Sequence, residues 1–146
     1  MFADFLNRLI QPEPDPLDDG DARLALTALL VRVARSDGEY AASEIIRITR
    51  LVEARYNLSH DAAEALRMDA ETLESEAPDT VRFTRAIKDA VPYEERVAVI
   101  EALWQVALAD GERESHEDSL LRLVSNLLGI SDRDSARARQ RVTPTG

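Results

Sequence analysis

The feature that most constrains the fold of this chain is a segment that occurs twice. Residues 23–45 align with residues 96–118 at an offset of 73, and each copy contains Asp-Gly-Glu followed by a further Glu five positions later. Shortly after each copy, at an offset of 72, the sequence NLS of residues 57–59 aligns with the sequence GIS of residues 129–131. A unit of helix, acidic break, helix, cap and helix is therefore predicted to occur twice. Two such units cannot bury their apolar faces alone, so we expect them to share one core.

Apolar residues recur at helical spacing along the chain, and no segment alternates with period two. The first repeated helix places Leu24, Thr27, Leu30, Val31 and Ala34 on one predicted face. The predicted fold class is all-α: a compact bundle of seven to eight helices built from two repeated three-helix units, at about 21–67 and 94–139. Residues 21–146 form the predicted helical domain.

Residues 1–20 are predicted to form an N-terminal amphipathic arm and a Pro-rich linker. The apolar face of the arm consists of Phe2, Phe5, Leu6, Leu9 and Ile10. Because the arm carries one Arg and one Asp, it lacks the basic face that usually drives a helix onto a membrane. We expect it to pack onto the domain or onto a partner, and peripheral membrane association stays open.

The composition of the chain, and its charge above all, excludes several classes of function. The chain of 146 residues has 18 Lys and Arg against 28 Asp and Glu, a net charge of −10, and it contains no cysteine. Nucleic-acid binding requires a concentrated basic face, so no nucleic-acid partner is expected. Zinc–thiolate sites and disulfides are excluded. The longest nearly apolar run, residues 24–31, is too short for a transmembrane segment. A cytoplasmic location, a protein partner and possible self-association are expected.

No catalytic motif is recognisable, so the chain is expected not to be an enzyme. There is no nucleophile elbow and no phosphate-binding glycine loop. The two histidines, His60 and His116, each stand beside acids at the start of a predicted helix, where an exposed or capping role is commoner than catalysis.

The acidic breaks are candidate sites for a divalent metal ion such as Ca²⁺, Mg²⁺ or Mn²⁺. An EF-hand is excluded, because its first and third ligand positions would fall on Val33 and Arg35 in one copy and on Val106 and Leu108 in the other. The predicted ligands are Asp37, Glu44, Asp110 and Glu117, with Glu39 and Glu112 as helpers. Carboxylates brought together repel one another, and a hard cation relieves this repulsion. The alternative also stays open: the same residues can cap helix ends or contact a basic partner.

The stretches LLVRVARSDGEYAASEIIRI and EALWQVALADGERESHEDSLLRLVSNLLGIS resemble the tellurite-resistance protein B (TerB) family over about residues 21–140. The pattern that carries the resemblance is A-x-x-D-G-x-x-x-x-x-E, present twice. The resemblance implies an all-α domain with internal duplication, a role in tellurite resistance and stress response within membrane-associated complexes, and no established catalytic activity. It also implies metal binding by the repeated acidic residues Asp37, Glu44, Asp110 and Glu117.

Overall fold

A computed structural model shows an all-α protein. The structure describes residues 3–10, 19–35, 40, 42–107 and 115–142, and the side chains of residues 3–9, 20–35, 40, 42–105 and 121–141. Within these ranges there are eight helices and no strand. The helices are α1 (Ala3–Ile10), α2 (Asp19–Ala34), α3 (Ala42–Tyr56), α4 (His60–Glu76), α5 (Thr80–Ala90), α6 (Tyr93–Ala107), α7 (Ser115–Leu127) and α8 (Asp132–Val142). The predicted all-α fold class is confirmed.

Helix α2 lies at the centre of the core. Every residue from Ala25 to Val31 is buried, so this helix is enclosed on all sides rather than along one face. Its one polar member, Thr27, donates its hydroxyl hydrogen to the carbonyl oxygen of Arg23 at 2.7 Å, which satisfies the group without a partner from another helix. The buried face predicted for α2 therefore differs from the one observed. Leu24, which was predicted to be buried, is only half-buried, whereas Ala25 and Leu29, which were not, are fully buried.

The junction between α3 and α4 matches the junction between α7 and α8 at an offset of 72. Asn57 and Gly129 both adopt a positive φ, of 54° and 72°. The next amide closes the preceding helix in both places: Leu58 N donates to Glu53 O at 3.1 Å, and Ile130 N donates to Ser125 O at 2.9 Å. This hydrogen bond together with a left-handed residue is the usual way to end a helix.

The helices that follow these junctions begin with equivalent caps. Ser59 accepts a hydrogen bond from the amide of Ala62 at 3.2 Å, and Ser131 accepts one from the amide of Asp134 at 3.1 Å. Ser59 and Ser131 are therefore the N-caps of α4 and α8, so the cap of the repeated unit is present at both junctions. A serine at this position satisfies one of the free amides of the first helical turn.

The packing of the helices pairs them in a regular way. Helix α2 packs most extensively on α4, and α6 packs most extensively on α8. Helix α2 also contacts α3, as α6 contacts α7. The two sets meet chiefly where α2 contacts α6, and also where α3 contacts α6 and α2 contacts α7. Helix α5 joins the two sets.

Helix α1 contributes to the same core. Its apolar face contacts α5, and Phe5, Leu6 and Leu9 are buried, with Leu9 only 1% exposed. In the part of the chain that the structure describes, no helix has both the length and the apolar character needed to span a membrane.

Candidate functional site

Of the six predicted metal ligands, Glu44 is the one whose side chain the structure describes. It lies in the first turn of α3 and is 7% exposed, so its carboxyl group is directed into the protein. The backbone of Glu117 belongs to α7, while its side chain lies outside the described residues. Asp37, Glu39, Asp110 and Glu112 also lie outside them.

Among the described side chains, no group of three or more histidine or acidic residues is arranged to hold a metal ion. Whether the first break can hold a cation is therefore judged from the chemistry of Glu44 and from the contacts of the described residues beside the break. A carboxylate is the ligand type that Ca²⁺, Mg²⁺ and Mn²⁺ prefer, so Glu44 is suited chemically to the predicted role.

The described residues on either side of the first break, Arg35 and Tyr40, both form contacts with α4. Arg35 is the last described residue before the break, and its guanidinium donates to Glu74 Oε2 at 2.8 Å. Tyr40, which follows the break, donates its hydroxyl hydrogen to Glu71 Oε2 at 2.7 Å. The Arg35 guanidinium also lies 5.0 Å from the centre of the Tyr40 ring, so the two ends contact each other as well.

Glu74 is the buried centre of this attachment. Its carboxyl group accepts from Arg32 Nε at 2.8 Å as well as from Arg35, and the residue is 7% exposed. Arg32 donates further to the carbonyl oxygen of Pro78 at 3.1 Å and to the hydroxyl of Thr80 at 3.2 Å. One arginine of α2 thus binds the end of α4 and the start of α5 together.

A second group of polar contacts surrounds Glu71. Besides the Tyr40 hydroxyl, Glu71 accepts from Arg67 Nη1 at 2.7 Å, and Arg67 Nε donates to the hydroxyl of Thr49 on α3 at 2.9 Å. Burial of the Tyr40 hydroxyl, and next its hydrogen bond to Glu71, raise the pKa of Tyr40 above the ordinary value of 10.0. Tyr40 therefore stays protonated as a donor through the neutral range. We call Arg32, Arg35, Tyr40, Arg67, Glu71 and Glu74 the break-flanking network.

The break-flanking network was not among the features predicted from the sequence. The available signal was a matched spacing: Arg32 and Arg35 are three residues apart, and so are Glu71 and Glu74. Residues three apart share one face of a helix, so two such pairs of opposite charge can meet when two helices pack. Which helices pack is a tertiary property that this spacing does not specify.

His60 is placed as an exposed residue, as predicted. Its side chain is 68% exposed, with Nδ1 at 3.0 Å from Glu53 Oε1 and Nε2 at 3.7 Å from Glu64 Oε2. These contacts link the start of α4 to the end of α3 at the protein surface.

Comparison with known proteins gives one match. The sequence model of the family described as tellurite resistance protein TerB matches residues 23–140. No curated protein and no solved structure matches the chain. The matched range covers most of the chain, from the start of the central helix α2 into α8.

Proposed function

Because the chain belongs to the TerB family of tellurite resistance proteins, we propose that it is a non-enzymatic stress-response domain that binds a divalent cation through its two acidic breaks. The predicted ligands are Asp37 and Glu44 in the first break and Asp110 and Glu117 in the second. The cation is Ca²⁺, Mg²⁺ or Mn²⁺, since oxygen ligands suit these ions.

The observation that carries the proposal is the burial of Glu44. An acid whose role is to complement the helix dipole in the first turn of α3 has no need to leave water. Glu44 instead points inward and is 7% exposed. A carboxylate directed into the protein at the start of α3 is placed to serve as an oxygen ligand of a cation held at the first break.

The break-flanking network supports the same proposal in two ways. It fixes Arg35 and Tyr40 on α4, so the chain that enters and leaves the break has a defined position, which lowers the entropic cost of assembling a site there. It also engages the two arginines nearest the break, Arg32 and Arg35, with Glu74. Both side chains are therefore held against α4 by the Glu74 carboxylate.

That the second break repeats the first is part of the proposal. The equivalent junctions around Asn57 and Gly129, the equivalent caps at Ser59 and Ser131, and the parallel pairing of α2 with α4 and of α6 with α8 support it. A repeated unit would carry a second cation site at Asp110 and Glu117.

Isothermal titration calorimetry with Ca²⁺, Mg²⁺ and Mn²⁺ tests the proposal. We expect saturable binding below millimolar concentration, lost in the variant Asp37→Asn plus Asp110→Asn. Asparagine caps a helix about as well as aspartate, so this variant removes charge while retaining a cap. The matched control is Asp69→Asn plus Asp89→Asn, which changes two exposed acids of α4 and α5 and should bind as the unmodified chain does. Unchanged binding in the first variant, or no binding below millimolar, would refute the proposal.

A protein-interaction module, in which the acids serve as helix caps, is the second candidate function. It is favoured by two large apolar side chains on neighbouring helices, since Ile46 of α3 is 52% exposed and Met68 of α4 is 57% exposed. If the protein-interaction module is the correct function, calorimetry should detect no heat of cation binding. Replacing Asp37 by Ala, but not by Asn, lowers the free energy of unfolding by about 1 kcal/mol because a cap is lost.

A further inference from the structure

A pocket of about 420 Å³ is lined by residues of α6, α7 and α8. Its lining includes Trp104, Arg122, Ser125, Asp132, Ser135 and Arg139. Pockets of this volume accommodate small organic molecules. Two arginines and one aspartate among these residues give the lining a local positive balance, in a chain whose net charge is −10.

Apart from Asp132, the charged and hydroxyl groups of this pocket are donors suited to an oxygen anion. The guanidinium of Arg139 lies 5.2 Å from the centre of the Trp104 ring, which holds it against the pocket wall. The hydroxyl groups of Ser125 and Ser135 lie 3.2 Å apart, and these two residues are only 1% and 9% exposed. A serine hydroxyl can turn its hydrogen toward a ligand, and a guanidinium offers planar paired donors.

Arg122, an exposed residue of α7, lines the pocket and contributes a positive charge to it. Across the described part of the chain, no hydrogen bond or ion pair engages its side chain, although acidic residues outnumber basic ones by 28 to 18. We propose that this pocket binds a small molecule through an oxyanionic group, a phosphate or a carboxylate, which Arg122 contacts together with Ser125 and Ser135.

The equivalent place in the first half of the chain has the opposite character. At the offset of 72 that relates the two junctions, Ser125, Asp132 and Ala136 correspond to Glu53, His60 and Glu64. In the first half these three side chains contact one another, with His60 between the two carboxylates. In the second half both glutamates are replaced, by the small uncharged residues Ser125 and Ala136. These replacements remove two negative charges and make room, while Asp132 in place of His60 adds one back, so the net loss is one negative charge. Arg50 corresponds to Arg122 and Arg67 to Arg139, so both arginines are kept.

This inference is independent of cation binding at the acidic breaks. The probes are inorganic phosphate and succinate, titrated into the full chain in Tris buffer freed of metal on a chelating resin. Trp104 is the chain's single tryptophan and lines the pocket, so its fluorescence reports on the site directly. We expect a saturable change with at least one probe and none with sodium chloride at equal ionic strength. Saturation by phosphate alone identifies a phosphate-bearing ligand, and saturation by succinate alone identifies a carboxylate.

Three variants locate the binding. Arg122→Gln should weaken it about tenfold, since a charge-assisted hydrogen bond is lost. Arg137→Gln removes the same charge from an exposed position of α8 outside the lining and should change the affinity less than about twofold. Asp132→Asn should tighten binding, because a like charge leaves the pocket, and such a gain cannot arise from unfolding. Saturation by neither probe up to about 10 mM, or equal effects of Arg122→Gln and Arg137→Gln, would overturn the inference.

Discussion

The clearest perturbation of the break-flanking network is Glu74→Gln, which keeps the size of the side chain and removes its charge. Removing one partner of a buried ion pair costs about 3–5 kcal/mol, because the remaining charge is left without compensation. Two features of this site reduce that cost. The Arg35 side chain is 37% exposed, so water can solvate it, and Arg32 retains the carbonyl oxygen of Pro78 and the hydroxyl of Thr80 as acceptors.

We therefore expect Glu74→Gln to lower the free energy of unfolding by about 2–3 kcal/mol, less than for a fully buried pair. For a chain of this size each kcal/mol shifts the melting temperature by roughly 2–4 °C, so the melting temperature should fall by about 5–10 °C. Urea denaturation followed by the fluorescence of the single tryptophan, Trp104, measures the effect.

The control for this experiment is Asp69→Asn on the same helix. Asp69 is exposed, and its side chain forms no hydrogen bond or ion pair within the described part of the chain. Its replacement should therefore change the free energy of unfolding by less than about 0.5 kcal/mol. If Glu74→Gln proves as mild as Asp69→Asn, the two arginines of α2 do not hold α4 in place, and the argument for an anchored first break fails.

Other parts of the fold give three further predictions. Leu9→Ala should lower the free energy of unfolding, measured by urea denaturation, by about 2–4 kcal/mol, because this 1% exposed side chain belongs to the core. A decrease below about 0.5 kcal/mol would mean that α1 does not pack on the core in solution. Gly129→Ala should lower the free energy of unfolding by about 1–2 kcal/mol, because φ is +72° and a Cβ atom would lie 3.0 Å from Lys88 Cε. Its control is Gly20→Ala, at an exposed helical position, which should leave the free energy of unfolding unchanged or raise it. The pKa values of all three tyrosines are raised, by burial first at Tyr40 and Tyr56 and by the hydrogen bond to Asp134 first at Tyr93. The unfolded chain therefore loses these protons first, so stability should fall as the pH rises above the ordinary tyrosine pKa of 10.0. Absorbance at alkaline pH should show tyrosinate at lower pH in denaturant than in the folded chain, and coincident titrations would contradict the packing described.

Local sequence signals were sufficient for the helices and for their ends. Ser59 and Ser131 cap helices because a hydroxyl reaches the amide three residues on, and Gly129 ends one because it tolerates a positive φ. These interactions involve residues close together in the chain, so the sequence alone predicts them.

The parts that could not be predicted depend on which helices meet. The enclosure of α2 on all sides, the docking of Leu9 near α5, and the pairing of Arg32 with Glu74 across 42 positions all require the tertiary arrangement. At the candidate metal site the sequence identified Glu44 but not its burial, because an acid in the first turn of a helix is usually exposed. The pocket beside Trp104 was missed for a related reason, because the contact of Trp104 with Arg139 joins two different helices.

The most direct test of cation binding at the acidic breaks is an anomalous difference map from crystals of the full chain soaked in Mn²⁺. A peak within coordinating distance of the Glu44 carboxylate and of an oxygen atom from residues 37–39 is the predicted result, with a second peak beside Glu117. A map without a peak at Glu44, from crystals in which that side chain is well ordered, would contradict the proposal and leave the acids of the breaks as helix caps.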